Sequence, residues 1–224
     1  MPTPTRPSAP ALRAELDPRG EWALLLLSAA SGAADAFVFI CVGQVFAGVM
    51  TGNLVLLGAS AAGGGEQGVA LRVVTALVAY ALGVTCGAWM NERLRWSLPV
   101  MLLIEVALLT AGAVLWALEL ITSDGDRLGL LVLISVAMGI QGRIRATPTN
   151  YFTGTLTALV GRAALRSWEQ GDRWVAGRLI AVVVGAALTA LTVRLWPDAA
   201  GVVAVVPTAG ALLIETLRRR LPDG

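Results

Sequence analysis

This sequence predicts an all-α integral membrane bundle of six spans, built from two inverted three-span repeats. Three observations carry that expectation. Of its 224 residues, 56% are hydrophobic and 14% charged, with a mean hydropathy of +0.73; soluble domains carry about 25% charged residues. Six apolar runs, at about 22–46, 69–91, 98–119, 128–146, 174–196 and 199–217, each approach the roughly 20 residues that a span needs. A shift of 102 positions also lays the second half of the chain on the first.

That shift places Thr51 on Thr153, Gly52 on Gly154, Leu54 on Leu156, Leu57 on Leu159 and Gly83 on Gly185. It also aligns the charged break at 92–97 with the one at 194–199. Each half holds three spans. A direct repeat with an odd span count inserts in the opposite sense the second time, which is the inverted repeat common in secondary transporters.

Residues 1–20 hold five prolines (Pro2, Pro4, Pro7, Pro10 and Pro18) among scattered charges, a composition that predicts a disordered tail. The run that follows is too long for a secretory signal. Residues 21–217 form the expected membrane domain, with repeat one at about 22–119 and repeat two at about 124–217; residues 218–224 are a basic tail. Two apolar segments, 49–62 and 152–165, are only about 14 residues long and reach about 21 Å, too short to cross. Each is expected to be a re-entrant or broken half-helix opened by its Thr-Gly motif, the two ends meeting near the midplane. Thr51 or Asn53, and Thr153 or Thr155, are candidate N-caps.

Arginine sets the orientation. The N-terminal tail, the 92–97 loop, the 162–173 loop and the C-terminal tail together hold eleven arginines, against Arg72, Arg127 and Arg194 on the other side. Both termini are therefore expected in the cytoplasm. Trp22, Trp89, Trp96, Trp116, Trp174 and Trp196 lie near run ends, as interfacial anchors should.

The chain has no Lys and no His, which removes the usual general base near neutral pH and the commonest metal ligand. No nucleophile with an evident base is present, so no enzyme, metal or cofactor is expected. The arginines lie between apolar runs and form no nucleic-acid patch. Cys41 and Cys86 fall within apolar runs and read as buried free thiols. Gly63-Gly64-Gly65 reads as a loop, and Gly83-Val84-Thr85-Cys86-Gly87 as a close helix contact.

The candidate site gathers the polar residues of the apolar runs. Asp35 lies near the centre of the first run, where an unpaired charge costs several kcal/mol. It reads either as a proton, cation or cargo site or as a structural partner for a polar group. Arg143 and Arg145 end the fourth run, to snorkel to the headgroups or else to meet Asp35 or an anion inside the bundle, a site that Gln141, one turn earlier, would share. Thr51, Asn53, Thr153 and Thr155 either satisfy backbone groups freed at the breaks or face a cavity and bind a polar group. Glu105, a turn or two from the cytoplasmic end of the third run, is expected to snorkel or to pair with Arg93 or Arg95 in preference to a functional role.

Gly32-Ala33-Ala34-Asp35-Ala36, then Gly43-Gln44-Val45-Phe46 and Met50-Thr51-Gly52-Asn53, resemble the signature of the YoaK family of bacterial membrane proteins. Met138-Gly139-Ile140-Gln141, Arg145 and Thr153-Gly154-Thr155-Leu156-Thr157 fit in the second half. The family's Thr-Thr pair before the second Thr-Gly is replaced here by Thr147-Pro148-Thr149-Asn150. The resemblance implies a multi-span inner-membrane protein of a family whose activity is not established. The expected function is a carrier or channel for a small polar or ionic solute. Its partners are the lipid bilayer and that solute, and a homodimer is compatible because six spans are few for a carrier. The alternative is a non-transporting scaffold, sensor or partner-stabilising subunit.

Overall fold

The computed structural model describes residues 18–64, 67–144, 152–169 and 171–220, and among them no strand occurs. Helix α1 (Pro18–Phe37) runs on as a π-helix (Val38–Gly43). Then come α2 (Met50–Ala61), α3 (Val69–Glu92), α4 (Leu98–Ala117), α5 (Asp124–Gln141), α6 (Phe152–Ala164) and α7 (Asp172–Leu195). A 3₁₀ turn (Pro197–Ala199) leads into α8 (Val202–Arg220). Helix α1 begins inside the expected tail and α8 extends into the expected basic tail.

Five segments are long and apolar enough to cross a membrane: Arg19–Gly43, Val69–Glu92, Leu98–Ala117, Asp172–Leu195 and Pro197–Arg220. The expected fourth span, 128–146, departs from this. Its helix, α5, has 18 residues, and Asp124, Asp126 and Arg127 occupy the first turn. A capping box sets that start: Ser123 Oγ accepts the Asp126 N–H at 3.1 Å, and the Asp126 carboxylate accepts the Ser123 N–H at 2.8 Å. The apolar remainder covers only about 21 Å. Helices α2 and α6 are short, with 12 and 13 residues, as the sequence leads one to expect.

Helix α1 packs chiefly on α7 and α8, α3 on α5, and α4 on both α8 and α5; α2 lies against α3 and α6 against α7. One buried core gathers Phe37, Val38, Leu109, Leu130, Ile134 and Met138. A second gathers Leu27, Met101, Leu102, Ile140, Ile144 and Ala211. The two tightest crossings are made by glycine. A Cβ on Gly32 would fall on the Val182 carbonyl, and one on Gly185 on that of Ala29, where α1 crosses α7. A Cβ on Gly83 would fall on the Val136 carbonyl, and one on Gly139 on that of Tyr80, where α3 crosses α5. Lipid offers helices little hydrophobic driving force for association, so such close backbone approach is a main source of cohesion.

The outward faces are apolar. Leu71, Val78 and Leu82 on α3 and Ile180, Val183 and Leu188 on α7 are exposed. Such continuous stripes on long helices suit contact with lipid. Cys86 shares this surface and Cys41 is half-buried; both are free thiols, so the expectation of two buried cysteines is corrected. Gly83 and Gly87 take the packed face of α3 and leave Cys86 outside it. Trp22, Trp89, Trp96 and Trp196 are exposed near helix ends. Trp116 turns inward instead: its Nε1 donates to the Pro197 carbonyl at 2.9 Å and its ring meets Phe37 edge-on at 5.3 Å.

Gly185→Ala should destabilise the detergent-purified protein by about 1–3 kcal/mol through overpacking. Gly58→Ala, where a Cβ meets nothing within 4 Å, should be neutral or stabilising by up to about 1 kcal/mol, because alanine is the better helix former. Thermal unfolding of the two variants side by side measures the difference.

Candidate functional site

The site begins where α1 stops being an α-helix. After the π-helix, Gln44 adopts a left-handed conformation with φ 58° and ψ 29°, its N–H bonded to the Phe39 carbonyl at 3.1 Å. The chain then crosses to Met50 without secondary structure. Inside a bilayer the backbone groups of such a segment need protein partners.

Two side chains supply them. Asp35 Oδ1 accepts the Gly48 N–H at 2.7 Å. Asn53 Oδ1 accepts the Phe46 N–H at 2.9 Å, and its Nδ2 donates to the Phe46 carbonyl at 2.7 Å. Asn53 thus satisfies both backbone groups of one residue, and both side chains are buried. The expected capping by Thr51 or Asn53 is corrected: Val49 is the cap residue and makes no side-chain bond, because Asn53 reaches past the helix start to Phe46. In the second half α6 already begins at Phe152, so Thr153 and Thr155 lie in its first turn and not at a cap.

The two Thr-Gly motifs do come together. Gly48, Val49, Met50 and Thr51 from the first half and Phe152, Thr153 and Gly154 from the second line one cavity of about 150 Å³, with Tyr80 of α3. At about 30 Å³ of liquid per molecule this is room for roughly five waters. Tyr80 was not singled out from the sequence. Its signal there is modest: a phenol at the centre of the 69–91 apolar run. Thr51 and Thr153 are exposed, and the Thr153 carbonyl accepts from Thr157 Oγ1 at 3.0 Å. Thr155, half-buried, follows in the next turn outside the lining.

Other candidates lie elsewhere. Gln141 donates from Nε2 to the Leu27 carbonyl at 2.8 Å and serves the α1–α5 contact instead of the cavity. Arg143 does not meet Asp35; it pairs with Glu92 at 2.8 Å, because Glu92 ends α3 beside the end of α5. Arg145 lies outside the described residues. Glu105 neither snorkels nor pairs with Arg93 or Arg95. It is fully buried, and neither carboxyl oxygen has a partner among the described residues. Its place on the inner face of α4, between Leu102 and Leu109, keeps it from the membrane surface.

Asn53→Ala should cost about 2–4 kcal/mol, because two hydrogen bonds go and both Phe46 backbone groups lose their partner. Asp35→Asn keeps an acceptor oxygen for the Gly48 N–H and should cost roughly 1 kcal/mol, less than Asp35→Leu. Thermal melting of the three variants in one detergent gives the order.

No curated protein and no solved structure matches the chain. Over residues 23–214 it matches the family described as "Protein of unknown function (DUF1275)". That agrees with the YoaK resemblance of its motifs. With nearly everything after the N-terminal segment covered, the chain belongs to this family.

Proposed function

We propose that the protein is a carrier or channel for a small polar or ionic solute in the bacterial inner membrane. The observation that carries this reading is the shared cavity, to which each half contributes its own Thr-Gly break. Tyr80 lies midway along α3, so the cavity sits at mid-height of the bundle. The first turns of α2 and α6 both border it, and helix N-termini favour a solute with an anionic or hydrogen-bond-accepting group.

In this reading the chain has six spans with both termini in the cytoplasm. Helix α5 is the shortest span, its ends extended by Arg127 and Arg143 reaching toward the headgroups. The inverted repeat draws support from the crossings. Gly83 meets Val136 and Tyr80 meets Gly139, as Gly185 meets Ala29 and Val182 meets Gly32. The 102-residue shift turns Gly83 into Gly185 and Tyr80 into Val182. The partner positions, Val136 with Gly139 and Ala29 with Gly32, are likewise three residues apart. Gly32 precedes Thr51 by 19 positions and Gly139 precedes Thr153 by 14. The surplus falls in the stretch that holds the π-helix. The reading includes no catalysis and no nucleic acid, and it allows a homodimer.

A second reading, a non-transporting scaffold, sensor or partner-stabilising subunit, is favoured by the engagement of Asp35 and Asn53 in backbone hydrogen bonds. A thermal-shift screen of the purified protein against small solutes separates the two. A solute at 100 times its Kd should stabilise the native protein by about 2.7 kcal/mol. Thr51→Trp and Thr153→Trp, which fill the cavity, should each weaken that solute at least about tenfold, or about 1.4 kcal/mol. A flat screen together with no solute flux in proteoliposomes would favour the second reading.

The topology has its own test. With Cys41 and Cys86 replaced by Ala, a cysteine at Ser97 should react with an impermeant maleimide only from the cytoplasmic side. One at Ser123 should react only from the opposite side. Labelling of both from one side would refute the arrangement.

A further inference from the structure

We propose that Glu105 is a proton-binding site inside the helix bundle, its carboxyl taking up a proton from solvent and returning it, with the Gln141 amide as its polar neighbour. Glu105 is fully buried in α4, with both carboxyl oxygens unpartnered among the described residues. Gln141 Oε1 and Ser31 Oγ are buried and unpartnered in the same sense.

The helix register brings these groups to one height. A Cβ on Gly112 of α4 would touch Leu130 and Ile134 of α5, at 3.2 and 3.6 Å. Glu105 lies two turns back along α4, and Gln141 two turns on from Ile134 along the antiparallel α5. Gln141 also donates to the Leu27 carbonyl of α1, one turn before Ser31. One turn before Glu105, Met101 and Leu102 share a buried core with Leu27, Ile140 and Ala211. Helices α1, α4, α5 and α8 thus enclose the carboxyl.

A carboxylate without a partner there costs several kcal/mol. Among the described residues, no charged group on the enclosing helices bonds to the Glu105 carboxyl. Glu215 of α8 has Arg218 at 3.5 Å. Asp35 of α1 accepts the Gly48 N–H, and Glu21 pairs with Arg178. Arg143, beyond the end of α5, pairs with Glu92, and Asp124 and Asp126 lie at its far end. A proton is the one ligand that this set answers. On the neutral acid it supplies a donor for the amide oxygen of Gln141, an acceptor. A metal ion would need more oxygens than these groups present. The step is a transfer from hydronium to a carboxylate oxygen, leaving water, and its reverse. It is independent of any solute in the cavity between the Thr-Gly breaks.

The test is pH-difference infrared spectroscopy of the full-length protein in lipid nanodiscs, with glutamate isotopically labelled to assign the band. The native protein should show a protonated-carboxyl stretch that fades as pH rises and is missing from Glu105→Gln. Gln141→Leu, which keeps the acid but removes its acceptor, should move the fade lower by about one pH unit, a tenfold change in proton affinity. A native band that stays constant from acid to alkaline pH would overturn the proposal, as would difference spectra unchanged in Glu105→Gln. Should Glu105→Gln fail to fold, a fade left unmoved by Gln141→Leu would overturn it too.

Discussion

Backbone that leaves the helix inside a bilayer must find its hydrogen bonds within the protein, and much else here follows from that constraint. The chain leaves the helix between Gly43 and Met50 and meets the constraint with two side chains, Asp35 from before the break and Asn53 from after it. Together they bind Phe46 and Gly48, and so fix where α2 starts. That start places Met50 and Thr51 against the first turn of α6, and the cavity exists because both halves are held there. Asp35 and Asn53 therefore act on the site as its frame, at one remove from whatever enters it.

The glycine crossings set the rest of the architecture. They join the first helix of each half to the third helix of the other, α1 to α7 and α3 to α5. The halves are thus interleaved, and neither can keep its shape without the other. Cohesion is uneven as a result. The four crossing helices are locked by backbone contact, whereas α2 and α6 each lie on one long neighbour and leave Leu54, Val55, Leu156 and Val160 exposed. Regions with few buried contacts open at lower free energy than the core. Two of the elements that border the cavity, α2 and α6, are therefore held less tightly than the crossing helices, a distribution that suits the proposed admission and release of a solute.

The sequence made much of this legible. Apolar run lengths placed every long helix within a few residues, and the 102-residue shift picked out Gly83 and Gly185, which turn out to make corresponding crossings. The short segments 49–62 and 152–165 were legible from length alone. What escaped had specific causes. The capping box at Ser123 starts α5 among charges, so a run that looked like a full span is short of one. Asn53 looked like a cap because Asn next to a helix start usually is one; its bond to Phe46 depends on loop geometry that no spacing encodes. Tyr80 and Cys86 share one apolar run, and only the packing of Gly83 and Gly87 decides which face each takes. Glu105 was assigned to the surface on its distance from the helix end, whereas the helical face it occupies is what matters.

The buried carboxyls of the bundle show how environment divides one chemistry into separate roles. Asp172, at the head of α7, takes three contacts from the Arg162 guanidinium and the Glu169 N–H, which ties α6 to α7. Asp35 takes a backbone N–H and closes a loop. Glu215 has Arg218 beside it near the end of α8. In each case the partner makes a negative charge tolerable and fixes the side chain to a structural task. Glu105 shares their burial but has no such partner among the described residues. Stability alone would favour a leucine there, since an apolar side chain of similar volume avoids the cost of a buried unsatisfied polar group. A carboxyl kept at that cost is best explained by what it can do that leucine cannot, which is to change its charge while the helices around it stay packed.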